Sequence, residues 1–206
     1  MSLPVWVGFF VAAILIAVTP GPGAVASMST GIRYGYWAAL RVICGLQAAI
    51  LLQLGVVALG LGALLAASET AFGIVKLAGA AYLVWLGIQK WRAPVAGPAA
   101  DAPALKPRGL FRQGLLVNLT NPKAIIFIGA LVPQFVDPLA PQVEQYLLIS
   151  ATLCSTDMAV MSAYALTAAR IGRWLSDPGA MRLQNRLFGG LFVAAGTLLA
   201  LSPDSR

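Results

Sequence analysis

The sequence predicts an all-α polytopic membrane protein of six transmembrane helices, arranged as a 3+3 inverted repeat in which the first and fourth helices are broken. Three observations lead there. Hydrophobic residues make up 59% of the 206-residue chain and charged residues only 10%, at a mean hydropathy of +0.83, which is more apolar surface than a soluble domain of this length can hide. The apolar sequence divides into about six runs of roughly 20 residues, the length that crosses a bilayer. Basic residues collect in alternate loops, so the net charge of +7 reads as membrane orientation and not as nucleic-acid binding.

The first span runs from about Pro4 to Ser29, with Trp6 as an interface anchor and a break inside it at Thr19-Pro20-Gly21-Pro22-Gly23. Ala24-Val25-Ala26 resembles a leader cleavage site, but no basic residue precedes the apolar run, so the segment is read as retained. A short loop from Gly31 to Trp37 carries Arg33. The second span, about Ala38 to Ala67, has Arg41 one turn in, placed to snorkel to the surface. Gln47 and Gln53 lie deeper and are expected to face the protein interior, because an amide facing lipid is costly.

Glu69 marks the next turn, and the third span, about Ala71 to Trp91, contains Lys76 and the small residues Gly79, Ala80 and Ala81. A Pro- and Ala-rich linker at about 93–107 joins halves of about 1–92 and 108–206 in a single transmembrane domain. The fourth span begins near Leu115 and ends at about Val136, broken at Asn121-Pro122-Lys123. There Asn118, Thr120 and Asn121 can hydrogen-bond the backbone groups that Pro122 frees. Asp137-Pro138 and Pro141 make a turn. The fifth span, about Val143 to Ala169, holds Asp157, the only acid in the middle of an apolar run. Asp177-Pro178-Gly179 is a further turn, and the sixth span is about Leu187 to Leu201.

With six spans, Arg33 and Arg41, then Lys90, Arg92, Lys106, Arg108 and Arg112, then Arg170, Arg173, Arg182 and Arg186 share one side, eleven of the 14 basic residues. That side is cytoplasmic and both termini lie outside. Gln47 and Asp157 are separated by the same 110 positions as Cys44 and Cys154 (157 − 47 and 154 − 44), as an internal repeat requires. Two broken segments in matching positions point to a transport site, and small-residue faces in the third and sixth spans admit a homodimer.

Thr19-Pro20-Gly21-Pro22-Gly23, Leu77-Ala78-Gly79-Ala80-Ala81-Tyr82-Leu83-Val84-Trp85-Leu86-Gly87 and Asn118-Leu119-Thr120-Asn121-Pro122-Lys123-Ala124 resemble the lysine-exporter superfamily. Within it the chain is most similar to the homoserine/homoserine lactone efflux carriers of bacterial inner membranes, through Gly45-Leu46-Gln47, Gly87-Ile88-Gln89-Lys90-Trp91-Arg92, Pro133-Gln134-Phe135 and Asp157. The resemblance covers nearly the whole chain and implies a proton-coupled secondary exporter of small neutral amino acids such as homoserine, its lactone or threonine. Two positions depart from the subgroup: Arg41 stands where a small residue is expected, and Gln53 where histidine is, in a chain with no histidine at all.

An amino acid at mid-membrane needs donors for its carboxylate and acceptors for its ammonium. The half-helix N-termini at Pro20, Gly21, Pro22 and Gly23 and at Asn121-Pro122 supply donors, with Lys123 adding charge; the carbonyls on the other side of each break supply acceptors. Thr19, Gln47, Asn118 and Thr120 complete the expected substrate-binding set. Asp157 is the expected proton carrier, alternating between protonated and ammonium-paired states. Its alternative is a structural partner of Lys76, Lys123 or Gln47. A thiol-redox carrier using Cys44 and Cys154 is the rival reading, against which both read as inert small core residues in apolar stretches. A hydrolase lacks its motifs, no metal-ligand spacing occurs, and no cofactor is implied.

Overall fold

The computed structural model describes residues 1–67, 106–137, 139–175 and 178–201, together with isolated helical positions between residues 77 and 92. Most of the expected third span, the linker, Asp177 and the polar tail lie outside the described residues. What is described is helical, with no strand among those residues.

Helix α1 (Leu3–Val18) stops because Pro20 withholds the next backbone donor and turns Thr19 extended, at φ −72° and ψ 114°. Helix α2 (Pro22–Tyr34) restarts at once, with Pro22 in the first helical position, where no donor is missed. It ends at Gly35, whose φ of +80° reverses the chain in one residue, so that α3 (Tyr36–Ala67) follows directly. The loop expected from Gly31 to Trp37 is therefore a single glycine. Gly31 itself is helical and lies so close to Ala165 that a Cβ would sit 2.7 Å from the Ala165 carbonyl oxygen.

Helix α4 (Leu110–Leu119) starts five residues ahead of the expected Leu115, behind a left-handed Gly109. After the break, α5 (Pro122–Ile126) widens into a π-helical stretch, Phe127–Leu131, and a 3-10 turn, Val132–Phe135. Pro133 brings no N–H for the carbonyl four residues earlier, which favours such a change of pitch. Helix α6 (Gln142–Leu175) is continuous, and α7 (Pro178–Leu201) begins nine residues before the expected Leu187. Arg182 and Arg186 thus lie on a helix and not in a loop, because an exposed arginine at a membrane edge does not end a helix.

Helices α3 and α6 each contain a straight apolar stretch long enough to cross a bilayer, Tyr36–Gly60 and Gln142–Ala168. The pair α1 and α2 bends by 54°, and α4 and its continuation by 55°, and each pair together is long and apolar enough to cross a bilayer. The protein is a polytopic helical membrane protein. Its scaffold is tightest where α3 meets α4: Gly45 and Gly114 bring the two backbones together so closely that a Cβ on either would collide with Phe111 or Val42 of the other helix. Gly87 and Gly189 make a similar approach, a Cβ on Gly87 meeting the Gly189 carbonyl oxygen at 2.6 Å, so this part of the small-residue face of α7 is occupied within the chain.

The contacts also give directions. Val42 lies by Gly114 and Leu46 by Asn118, so α3 and α4 run parallel. Trp6 bonds Thr152 and Val18 bonds Tyr164, so α1 and α6 run parallel, and Tyr36 bonding Ser162 while Gln47 bonds Asp157 makes α3 and α6 antiparallel. Along these helices one apolar cluster gathers Met28, Val42, Ile43 and Met161, and a second gathers Phe9, Ile50, Phe127 and Ile149. Between the two lies a polar layer.

Candidate functional site

That layer sits near the midpoints of the two straight spans, at Gln47 on α3 and Asp157 on α6. The Gln47 amide donates from Nε2 to Asp157 Oδ2 at 2.8 Å, and the Gln47 Oε1 is buried with no hydrogen-bond partner among the described residues. The two side chains stand at equivalent places of straight helices that cross in opposite directions, which is why residues so distant in sequence meet.

The second break is furnished by side chains. Asn121 caps α5 by accepting the Lys123 backbone N–H at 3.1 Å, and its amide donates to Asn118 Oδ1 at 3.1 Å. Asn118 in turn donates to the Leu46 carbonyl oxygen at 3.0 Å, fixing the break to α3, and Gln53 Nε2 donates to the Asn118 carbonyl oxygen at 3.1 Å. The amide of Gln53, where histidine was expected, thus satisfies a carbonyl freed by the break.

Lys123 crosses to the first break. Its Nζ donates to the Ile16 carbonyl oxygen at 2.9 Å and to that of Thr19 at 2.7 Å. These carbonyls close the C-terminal end of α1, where an α-helix has no internal donors and its dipole is negative. Tyr164 of α6 donates to the Val18 carbonyl oxygen at 2.6 Å and completes the cap. On the other side of that break Gly21 is the N-cap of α2, with no side chain to bond the first amides.

A cavity of about 40 Å³ opens between these groups, lined by Gly23, Asn118, Asn121, Lys123 and Asp157 among polar or backbone-presenting positions and by apolar neighbours such as Leu46. It has room for two or three water molecules. The site residues expected from sequence divide around it. Thr19 and Gly21 border it through Lys123, and Gln47 through Asp157. Pro20 and Pro22 shape the break without lining the cavity. Thr120 is exposed, its hydroxyl donating to the Leu116 carbonyl oxygen at 2.8 Å, away from the cavity. Tyr164 and the Ile16 carbonyl were not anticipated, and no sequence signal marks a backbone acceptor. Arg41 is exposed, beside Trp37, Cys44 and Phe111 on the outer face. Cys44 is exposed and Cys154 half-buried, both as free thiols, so Cys44 is not the core residue expected. Among the described residues no three metal-ligating side chains come together.

A buried polar layer served by two bent helix pairs is the arrangement expected of a transport site, and the family match below makes the protein a membrane transporter, not an enzyme. The chain belongs to the LysE type translocator family, whose model matches residues 14–202. It is 44% identical over 201 residues to the homoserine/homoserine lactone efflux protein of Salmonella typhimurium, covering 97% of this chain and 98% of that protein. An uncharacterized membrane protein of Vibrio cholerae is 42% identical over 202 residues, with 97% and 98% covered. A leucine efflux protein of Enterobacter sp. (strain 638) is 32% identical over 200 residues, 93% of each chain. No solved structure matches the chain.

Proposed function

We propose that the protein is a secondary-active exporter of small neutral amino acids and their derivatives, with homoserine, its lactone and threonine as substrates, coupled to protons and resident in the bacterial inner membrane. The observation that carries this reading is that a cation, Lys123, and an acid, Asp157, line one small cavity where the two breaks meet. An amino-acid carboxylate would lie against Lys123 and the uncapped start of α2 at Gly23; its ammonium would lie against Asp157, with the free Gln47 Oε1 close to that carboxylate. Asp157 would carry the coupling proton, losing its ammonium partner in one half of the cycle and taking a proton in its place. The high identity to a homoserine/homoserine lactone efflux protein favours that substrate class over leucine.

Six spans as a 3+3 inverted repeat, with both termini outside and the basic loops cytoplasmic, remain the arrangement proposed. The parallel run of α3 and α4 supports it, since a chain crossing a bilayer twice in one direction must return between. The test is export of radiolabelled homoserine and threonine from vesicles containing the purified protein, with and without a pH gradient. Saturable, gradient-dependent export is expected. Folded protein that moves neither under any gradient would overturn the reading.

A further inference from the structure

The acceptors that an entering ammonium would find at the first break are already occupied by an ammonium of the protein. Lys123 Nζ holds the Ile16 and Thr19 carbonyl oxygens at 2.9 and 2.7 Å, and a Cβ placed on Gly21 would lie 3.5 Å from the same nitrogen. The lysine head thus lies over the broken end of α1, packed beside Gly21. The cavity beside it, about 40 Å³, is too tight for an amino acid while the lysine lies there. Were Lys123 to leave the Ile16 and Thr19 carbonyls, another donor would have to take its place, because an unpaired buried polar group is costly.

Resting on the exporter reading above, we propose that Lys123 is a tethered stand-in for the substrate ammonium and the residue that selects zwitterions. A substrate carboxylate draws the lysine off the end of α1, and the substrate ammonium takes over the vacated Ile16 and Thr19 carbonyls beside Asp157. One exchange satisfies every group: carboxylate with lysine, and ammonium with carbonyls and aspartate. A substrate with an amine and no carboxylate, such as homoserine lactone, offers Lys123 nothing in return and competes with it directly. Lys123 consequently favours the free amino acid over its lactone, and the tie between the two broken spans is released only by a ligand of the right charge pattern.

The test is equilibrium binding of homoserine and of homoserine lactone to the full-length protein in lipid nanodiscs, read as ligand-induced thermal stabilisation over a concentration series. In Lys123→Met, homoserine affinity should fall by about tenfold or more, the size expected for one charge-assisted contact, while lactone affinity holds or rises. Should Lys123→Met fail to insert, Lys123→Gln, which keeps a donor without the charge, is expected to show the same split. Lys123→Arg, which keeps the cation, should retain a preference for homoserine. Equal loss of both ligands, or loss of neither, would overturn the proposal, since a purely structural tie gives no split between them. Wild-type protein that binds neither compound overturns the exporter reading and this inference together; a wild-type protein that binds both, with variants that treat them alike, overturns this inference alone.

Discussion

The two breaks share a threonine, a restarting proline and a bend angle, and are furnished differently. Each follows a threonine whose hydroxyl donates back to the carbonyl four residues earlier, Thr19 to Leu15 at 2.7 Å and Thr120 to Leu116 at 2.8 Å. Each restarts with proline in the first helical position, and the bends agree, 54° and 55°. They part at the flanking residues. The first break has Gly21 as an N-cap without a side chain and Gly23 after the proline, whereas the second has Asn121, which caps its own helix, and Lys123. The bare break supplies space and backbone groups; the furnished break supplies the side chains that reach into it. Two similar breaks thereby frame a cavity with two unlike ends, as the proposed zwitterionic substrate requires.

The strongest way to break this comparison is to remove the charge that both breaks face. Asp157→Asn keeps the shape and the Gln47 contact at hydrogen-bonding distance, and gradient-driven export should fall to background, about 100-fold or more, with insertion unchanged. Export at the wild-type rate in vesicles would show that the carboxylate has no part in transport. Next comes filling the bare break. A Cβ on Gly23 would already stand 3.2 Å from Leu46 Cδ1, so Gly23→Leu must close the cavity, and export should drop about tenfold or more while the protein stays folded. A Leu variant that transports normally would mean that the path runs elsewhere.

The caps allow a finer cut. Asn121→Ala removes both the cap on the Lys123 amide and the bond to Asn118, and should lower stability by about 2 kcal/mol in a thermal or denaturant series. Gly21→Asn offers the first break the cap it lacks. Gly21 is extended, at φ −144° and ψ −170°, so the backbone accepts asparagine, and stability should change by less than about 0.5 kcal/mol. Large losses from both would mean that the breaks are alike in construction after all.

How much of this was legible before the fold is a question of range. Proline and glycine act on their own backbone, so both breaks could be placed from sequence, and Asp157 stood out as a lone acid in an apolar run. Gln47 and Asp157 matched by spacing, but their hydrogen bond depends on two helices crossing in opposite directions. Asn118 stands near the end of α4 and Asn121 caps α5, so their side chains meet across the break while Thr120 between them faces outward, a phase that the break itself obscures. The reach of Lys123 to α1 was hidden because its acceptors are backbone oxygens, which every residue has. Helix ends escape the sequence where arginine sits on a helix and marks no loop, at Arg182 and Arg186, or where one glycine, Gly35, replaces a whole loop.

The smallest expected difference is also the most direct comparison of the two breaks. Thr19 and Thr120 make the same local bond, but Thr19 is 2% exposed while Thr120 faces outward. Substituting valine removes the hydroxyl and keeps the shape. In Thr120→Val the Leu116 carbonyl keeps the Thr120 backbone N–H at 3.1 Å, so stability and export should stay within about 0.5 kcal/mol and twofold of wild type. In Thr19→Val the Leu15 carbonyl keeps the Thr19 N–H at 3.2 Å, but the last turn of α1, whose carbonyls Lys123 holds, loses one of its fastenings in a dry environment. A cost of about 1 kcal/mol is expected there, with a matching fall in export. Thermal unfolding and vesicle export of the two variants side by side decide it: equal effects would mean that the threonines serve the bends alone, and a loss confined to Thr19 would mean that the bare break is where the site is held in register.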